Sequence, residues 1–136
     1  EWKMNKALVV AVAAGSLACV VNAQIAITEG MYSGQSGEYI EFTNISNAPV
    51  NMAGWSYDDD SSLPGVLDLS AFGVLQPGQS AIITEALAAD FRTAWSLPAS
   101  VPVIGGYTTN LGRNDQINLF NGVTLVDRLT YGDQNF

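Results

Sequence analysis

The chain has 136 residues, 48% of them hydrophobic and 13% charged, which suits one domain and excludes a two-domain reading. Thirteen acidic residues against five basic ones give a formal net charge of −8, the wrong sign for gripping a phosphate backbone, so nucleic acid is not an expected partner. There is no histidine and a single cysteine, which rules out histidine acid–base chemistry, Cys/His zinc sites and intrachain disulfides.

Met4-Asn5-Lys6 leads into an apolar stretch over residues 7–21, interrupted by Gly15 and Ser16, and then into Val21-Asn22-Ala23. Small or apolar residues at −3 and −1 of a cut after Ala23 predict a cleavable export signal over residues 1–23, with Met4 as the initiator and Glu1-Trp2-Lys3 upstream of it. The apolar run is shorter than the roughly 20 residues a bilayer-spanning helix needs, and no second long run follows, so no transmembrane anchor is expected. Ser16-Leu17-Ala18-Cys19 resembles a bacterial lipobox and would make Cys19 a lipidated first residue; Ser16 stands where leucine is usual, which favours the cut after Ala23. The expected address is secreted, cell surface or periplasm.

From residue 24 to 136, short runs of period two alternate with Gly, Asn, Asp and Pro, the pattern of half-buried strands in an all-β domain. Ile25-Ala26-Ile27-Thr28-Glu29 is the first such run. In Glu38-Tyr39-Ile40-Glu41-Phe42-Thr43, Ile40 and Phe42 should face the core and Tyr39, Glu41 and Thr43 the opposite side. Asn44-Ile45-Ser46 fits a glycosylation sequon but reads as the end of this strand. Val50, Met52, Trp55 and Tyr57 change parity across Ala53-Gly54, so a sharp bend or bulge belongs there, with Trp55 a central core residue. Leu75-Gln76-Pro77-Gly78 predicts a tight turn into the strand Ser80-Ala81-Ile82-Ile83-Thr84.

Leu87, Phe91 and Trp95 recur at steps of four, predicting one short helix over residues 87–95, packed over one end of the sheets and stopped ahead of Pro98 and Pro102. Residues 116–120 and 123–127 flank Asn121-Gly122, a pair suited to a type I′ hairpin turn. Seven or eight strands in two packed sheets result.

Taken in order, Ile27-Thr28-Glu29, residues 37–44, residues 50–58, Leu75-Gln76-Pro77-Gly78, and Asp115-Gln116-Ile117-Asn118-Leu119 leading to Val126-Asp127 resemble the lamin tail domain over about residues 25–133. The resemblance implies an immunoglobulin-like β-sandwich of about seven to nine strands with one short helix, a fold found in nuclear lamins and in exported bacterial proteins. It also implies a noncatalytic interaction or surface-structural role, with a protein or a surface glycan as partner. The family runs some residues past Tyr131-Gly132-Asp133, so the resemblance implies a C-terminus truncated at Phe136.

Asp58, Asp59 and Asp60 form the densest acidic cluster and are the candidate ligands for Ca²⁺, the one cofactor the sequence suggests. Asp58, Asp60 and Ser62 imitate the start of an EF-hand loop, yet Leu63 and Leu69 stand where that loop requires Gly and Glu, and a merely solvated acidic turn is the competing reading. A calcium-assisted adhesive or carbohydrate-binding domain is therefore the alternative function. Glu29, Glu38 and Glu41 are the only carboxylates worth weighing for a hydrolase, and the odd spacing of Glu38 and Glu41 turns them to opposite faces. Ser33 and Ser36 lack a base to activate them, so no catalytic residue is assigned. Among aromatic groups, Trp55 belongs in the core, Trp95 between helix and sheet, and Tyr107, after Gly105-Gly106, on the surface as a binding residue. Arg113 is the second candidate for a partner-facing side chain.

Overall fold

A computed structural model describes residues 24–34 and 36–132. The predicted export signal, its cleavage point, Cys19 and residues 133–136 lie outside them. Among the described residues the strands are β1 (Ile25–Met31), β2 (Tyr39–Asn44), β3 (Val50–Asn51), β4 (Trp55–Asp58), β5 (Leu67–Asp68), β6 (Val74–Leu75), β7 (Ser80–Thr84), β8 (Val103–Gly105), β9 (Asp115–Asn121) and β10 (Thr124–Tyr131), with one helix α1 (Ala88–Trp95) and one 3₁₀ turn at Ser70–Phe72. They build an immunoglobulin-like sandwich: one sheet runs β1-β2-β7-β8, the facing sheet β10-β9-β4-β5, and β3 pairs with β6 at the side. Three of the ten strands are two-residue pairings too short to show a period of two in sequence.

Alternation decides which side chains fill the space between the sheets. Ile40 and Phe42 from β2 and Ala81 and Ile83 from β7 meet Trp55 and Tyr57 from β4 and Ile117 and Leu119 from β9, all in one buried cluster. Val50 and Leu75 from the side pair β3-β6, with Met52, Leu69 and Phe72 from the connecting segments, close it. The parity change ahead of Trp55 is a tight turn: Trp55 N–H donates to the Met52 carbonyl at 3.1 Å, with Gly54 at φ +81°, where a side chain would be strained. The sheets are joined along one side, where the Ile27 amide of β1 donates to Asp127 Oδ2 of β10 at 2.8 Å. This occupies an amide of β1, which lies at the edge of its sheet.

Helix α1 lies on the outer face of the first sheet. Phe91, 1% exposed, packs on Tyr39 and Ile82, and Trp95 sits edge-on to Tyr39 at 5.4 Å. Leu87 is 68% exposed, because it is the extended N-cap (φ −62°, ψ 137°) rather than the first residue of the predicted apolar stripe. Beyond the helix, Arg92 donates to the carbonyls of Pro98 at 3.1 Å and Val101 at 2.6 Å, tying down the loop that returns the chain to β8. There β8 pairs in parallel with β7; a parallel neighbour requires a crossover, which α1 supplies.

The β9–β10 hairpin forms as expected, but its turn differs from the expected type I′. Asn121 pairs with Thr124, leaving Gly122 and Val123 as the two loop residues, and only Gly122 has positive φ, at +59°. Glycine in the first central position alone is the mark of a type II′ turn, which leaves Val123 86% exposed at the tip.

Candidate functional site

Alternation in β4 turns Trp55 and Tyr57 inward and sends Ser56 and Asp58 to the outer face, where residues 59–66 fold back over them. Asp58 is 1% exposed, and its Oδ2 accepts both the Ser61 hydroxyl and the Leu63 amide at 2.6 Å. The Ser56 hydroxyl accepts the Gly65 amide at 2.8 Å. From the neighbouring strands, Asn118 Nδ2 donates to the Asp59 carbonyl, and Arg128 bridges Asn118 Oδ1 and, at 2.8 Å, the Ser62 hydroxyl. Asp59 is half-buried and Asp60 exposed; burial raises the Asp59 carboxyl above its ordinary range against the opposing Ser61 amide, with Asp58 and Asp60 adding to the rise.

The solvated acidic turn expected here is thus partly a buried clasp: Asp58 holds the loop and spends the lone pairs of its Oδ2 within it. Among the described residues no group of three or more His, Cys, Asp or Glu side chains is placed to hold a metal ion. The sequence pattern missed this because a run of acids reads as wet unless one knows which face the following loop covers. Replacing Asp58 with alanine leaves the Leu63 amide without its acceptor and is expected to lower stability by about 2 kcal/mol. Urea unfolding measures it, and a loss under about 0.5 kcal/mol would show that the carboxylate does not hold the loop.

Tyr107, expected on the surface, is 5% exposed. Gly106, at φ +76°, turns the chain inward after β8. The Gly106 and Tyr107 amides then bond to Ala86 and Thr84 at 3.0 and 3.4 Å. The ring drops between the sheets, edge-on to Tyr57 at 6.0 Å, and cannot present a face to a ligand. Arg113 is exposed in the loop before β9. Asn44 of the sequon is fully buried at the end of β2, its Nδ2 donating to Ala48 and Leu75 carbonyls at 2.9 Å, which closes it to glycosylation.

Of the three weighed glutamates, Glu29 and Glu41 stand opposite each other across β1 and β2. Glu29 accepts the Tyr39 hydroxyl and Glu41 accepts the Thr28 hydroxyl at 2.7 Å, so both are engaged on the outer face. Proximity to Glu29, after burial, raises the Tyr39 phenol to about 12.

Glu38 has a different setting, at the end of the sandwich where β2 and β7 meet the loop before β9. It is 4% exposed; Oε2 accepts the Leu111 amide at 2.8 Å, and Oε1 has no hydrogen-bond partner. The Glu38 carbonyl accepts the Thr84 hydroxyl at 2.9 Å and the Glu85 amide at 3.1 Å. That places the Glu85 carboxyl within hydrogen-bonding reach of its own.

Burial is the main force pushing the Glu38 carboxyl up to about 7; the Leu111 amide opposes it, and Glu85 and Asp115 add to it. The hydroxyls of Tyr57 and Tyr107 are buried without partners as well, and burial raises both phenols, followed for Tyr57 by its neighbour Tyr107 and for Tyr107 by Glu38. Asp115 Oδ2 accepts the Gly112 amide at 2.6 Å, and Tyr131 donates to the Gly112 carbonyl at 2.9 Å, fixing the loop against the cluster. Beside the two glutamates a cleft of about 250 Å³ opens between Tyr32, Ser33, Glu38, Glu85, Asn110 and Leu111. In the sequence Glu38 reads only as a strand-end acid and Glu85 does not stand out; an acid directly before an alternating run carries no mark of burial.

Compared with known protein families, the chain matches the family model described as Lamin Tail Domain over residues 21–133. No curated protein matches it.

Proposed function

The chain belongs to the lamin tail domain family, a noncatalytic immunoglobulin-like fold, and from that premise we propose that it works outside the cytoplasm as an interaction or surface-structural module. The observation that carries the noncatalytic reading is the disposition of the acids. Glu29 and Glu41 are bound to neighbouring hydroxyls on an outer face, and Glu38 and Glu85 are in direct contact. Glycosidases hold their two carboxyls roughly 5–9.5 Å apart, with the sugar or its water between them. Carboxyls within hydrogen-bonding reach of each other, as Glu38 and Glu85 are, stand closer than either glycosidase spacing, and a sequence without histidine offers no imidazole base. The space between the sheets is filled by side chains, so recognition belongs to the outside of the molecule. Export is supported by the leader-like pattern of residues 1–23 and the cleavage pattern ending at Ala23.

Two measurements test the proposal. Mass spectrometry of protein exported by producing cells is expected to find Gln24 as the first residue; a retained leader or a lipid on Cys19 would refute the secreted part. Incubation with chromogenic glycosides and esters is expected to release no product above the blank, and saturable turnover would refute the noncatalytic part.

A further inference from the structure

Glu38 and Glu85 meet at the cleft with only acceptors to offer each other as carboxylates, which leaves the buried Glu38 Oε1 without a donor. The other charged group acting on Glu38 is also an acid, Asp115. A shared proton can relieve this pairing, and so can a cation.

We propose that the cleft between Tyr32, Ser33, Glu38, Glu85, Asn110 and Leu111 binds a primary ammonium group, presented by a lysine side chain or the amino terminus of a protein partner. The proposal rests on the reading of the chain as an interaction module and names the chemistry of its partner. An ammonium brings three donors and no acceptor, the complement of a site holding one unpartnered carboxylate oxygen, a second carboxylate, a serine hydroxyl and an amide. Tyr32, 45% exposed and stacked on Tyr131 at 6.0 Å, adds an aromatic ring to the rim, and such rings attract cationic nitrogen. A divalent metal ion is a poorer match, since calcium wants six to eight oxygens and no metal-holding group of acids forms among the described residues. The net charge of −8 draws cationic partners toward the surface at long range.

Entry to Glu38 is controlled by Glu85. The Glu85 side chain lies across Gly37, where a Cβ would come within 2.7 Å of Glu85 Cγ and Oε1; a side chain there would hold Glu85 away from Glu38. Because Glu85 is exposed, rotation about its own side chain uncovers the buried carboxyl and lets an ammonium take the place of the shared proton. Affinity should then rise with pH as Glu38 ionises, with Glu85, Asp115, Tyr57, Tyr107 and Tyr131 as the titratable groups that act on or face it.

The test is a titration of the ¹⁵N-labelled protein with N-acetyl-lysine methylamide, followed by backbone amide shifts. Expected are saturable shifts at Gly34, Gly37 and Leu111, with a dissociation constant on the order of millimolar. They should tighten from pH 6 to pH 8, weaken about tenfold or more in Glu85→Gln, and be absent with the uncharged N-acetyl-norleucine methylamide. An N-terminal glycine amide run in parallel separates the amino terminus from the lysine side chain as the source. Glu85 is exposed, so the spectrum of its variant should otherwise match the parent.

No saturable shift with either amine, an equal response to norleucine, or unaltered affinity in Glu85→Gln would overturn the site, as would a response to calcium chloride alone. A protein or glycan partner whose binding Glu85→Gln leaves intact would also overturn it, while the interaction-module reading would stand. Substrate turnover would instead sink that reading.

Discussion

Replacing Trp55 with alanine is expected to lower the free energy of unfolding by about 3–5 kcal/mol. The indole is 3% exposed, on the inner face of β4, which lies between β9 and β5 in its sheet. Its removal opens a cavity that the core around it fills only in part. Ile117 and Leu119 on β9, and Ile40, Phe42 and Ile83 across the sandwich, belong to the same cluster and are held by strand registers that extend beyond the site. A domain of this size has about 5–15 kcal/mol in total, so the variant should melt on the order of 20 °C below the parent. Thermal and urea unfolding followed by circular dichroism measure the difference. A change under about 1 kcal/mol would place the ring outside the core and undermine the packing of the two sheets described above.

Replacing Glu38 with glutamine is expected to act in the opposite direction and only at higher pH. The folded-state value of about 7 lies above the ordinary 4.5, so between these limits the folded chain holds a proton that the unfolded chain has released. Stability from this group is fully present below pH 4.5, declines as pH rises through about 7, and stays low above it. The displacement corresponds to about 3 kcal/mol across that window. Glutamine stays neutral and retains an oxygen for the Leu111 amide. The two proteins should therefore be similarly stable at pH 4.5, and the variant more stable by about that amount at pH 8. Subtracting the two stability curves cancels the acids that do not interact with Glu38, leaving Glu38 together with its neighbours Glu85 and Asp115; parallel curves between pH 4.5 and 8 would mean that Glu38 ionises normally and is not the buried member of the pair.

Much of the fold is legible along the chain because the cause is local. Ile40 and Phe42 face the core and Tyr39 and Glu41 the other side, as a period of two requires. The turn at Gly54, the short helix α1 and the last hairpin are likewise written in neighbouring residues. Yet the hairpin's turn lies one residue beyond the expected one, since strand pairing of Asn121 with Thr124 and not the Asn121-Gly122 pair itself sets which residues form the loop. The two-residue strands and the parallel β8 escaped for a similar reason: each is too short to show a period and exists because a neighbouring strand offers it hydrogen bonds.

The candidate site was less legible than the fold. Asp58 looked wet because an acid in a run of acids is wet unless a loop folds over it, and Tyr107 looked exposed because two preceding glycines suggest an open loop. Both lie where the chain turns back onto the sandwich, Asp58 beneath residues 59–66 and Tyr107 between the sheets. The alternation of side chains and the turn residues act over a few positions, and they suffice for the β class, the inner face of each long strand and Trp55 at the centre. Which polar groups lose water is settled by the packing of the whole domain, because burial depends on what distant segments cover. Glu38 and Glu85 come together through the pairing of Tyr39 with Thr84, strands far apart in sequence, and no local pattern records that meeting.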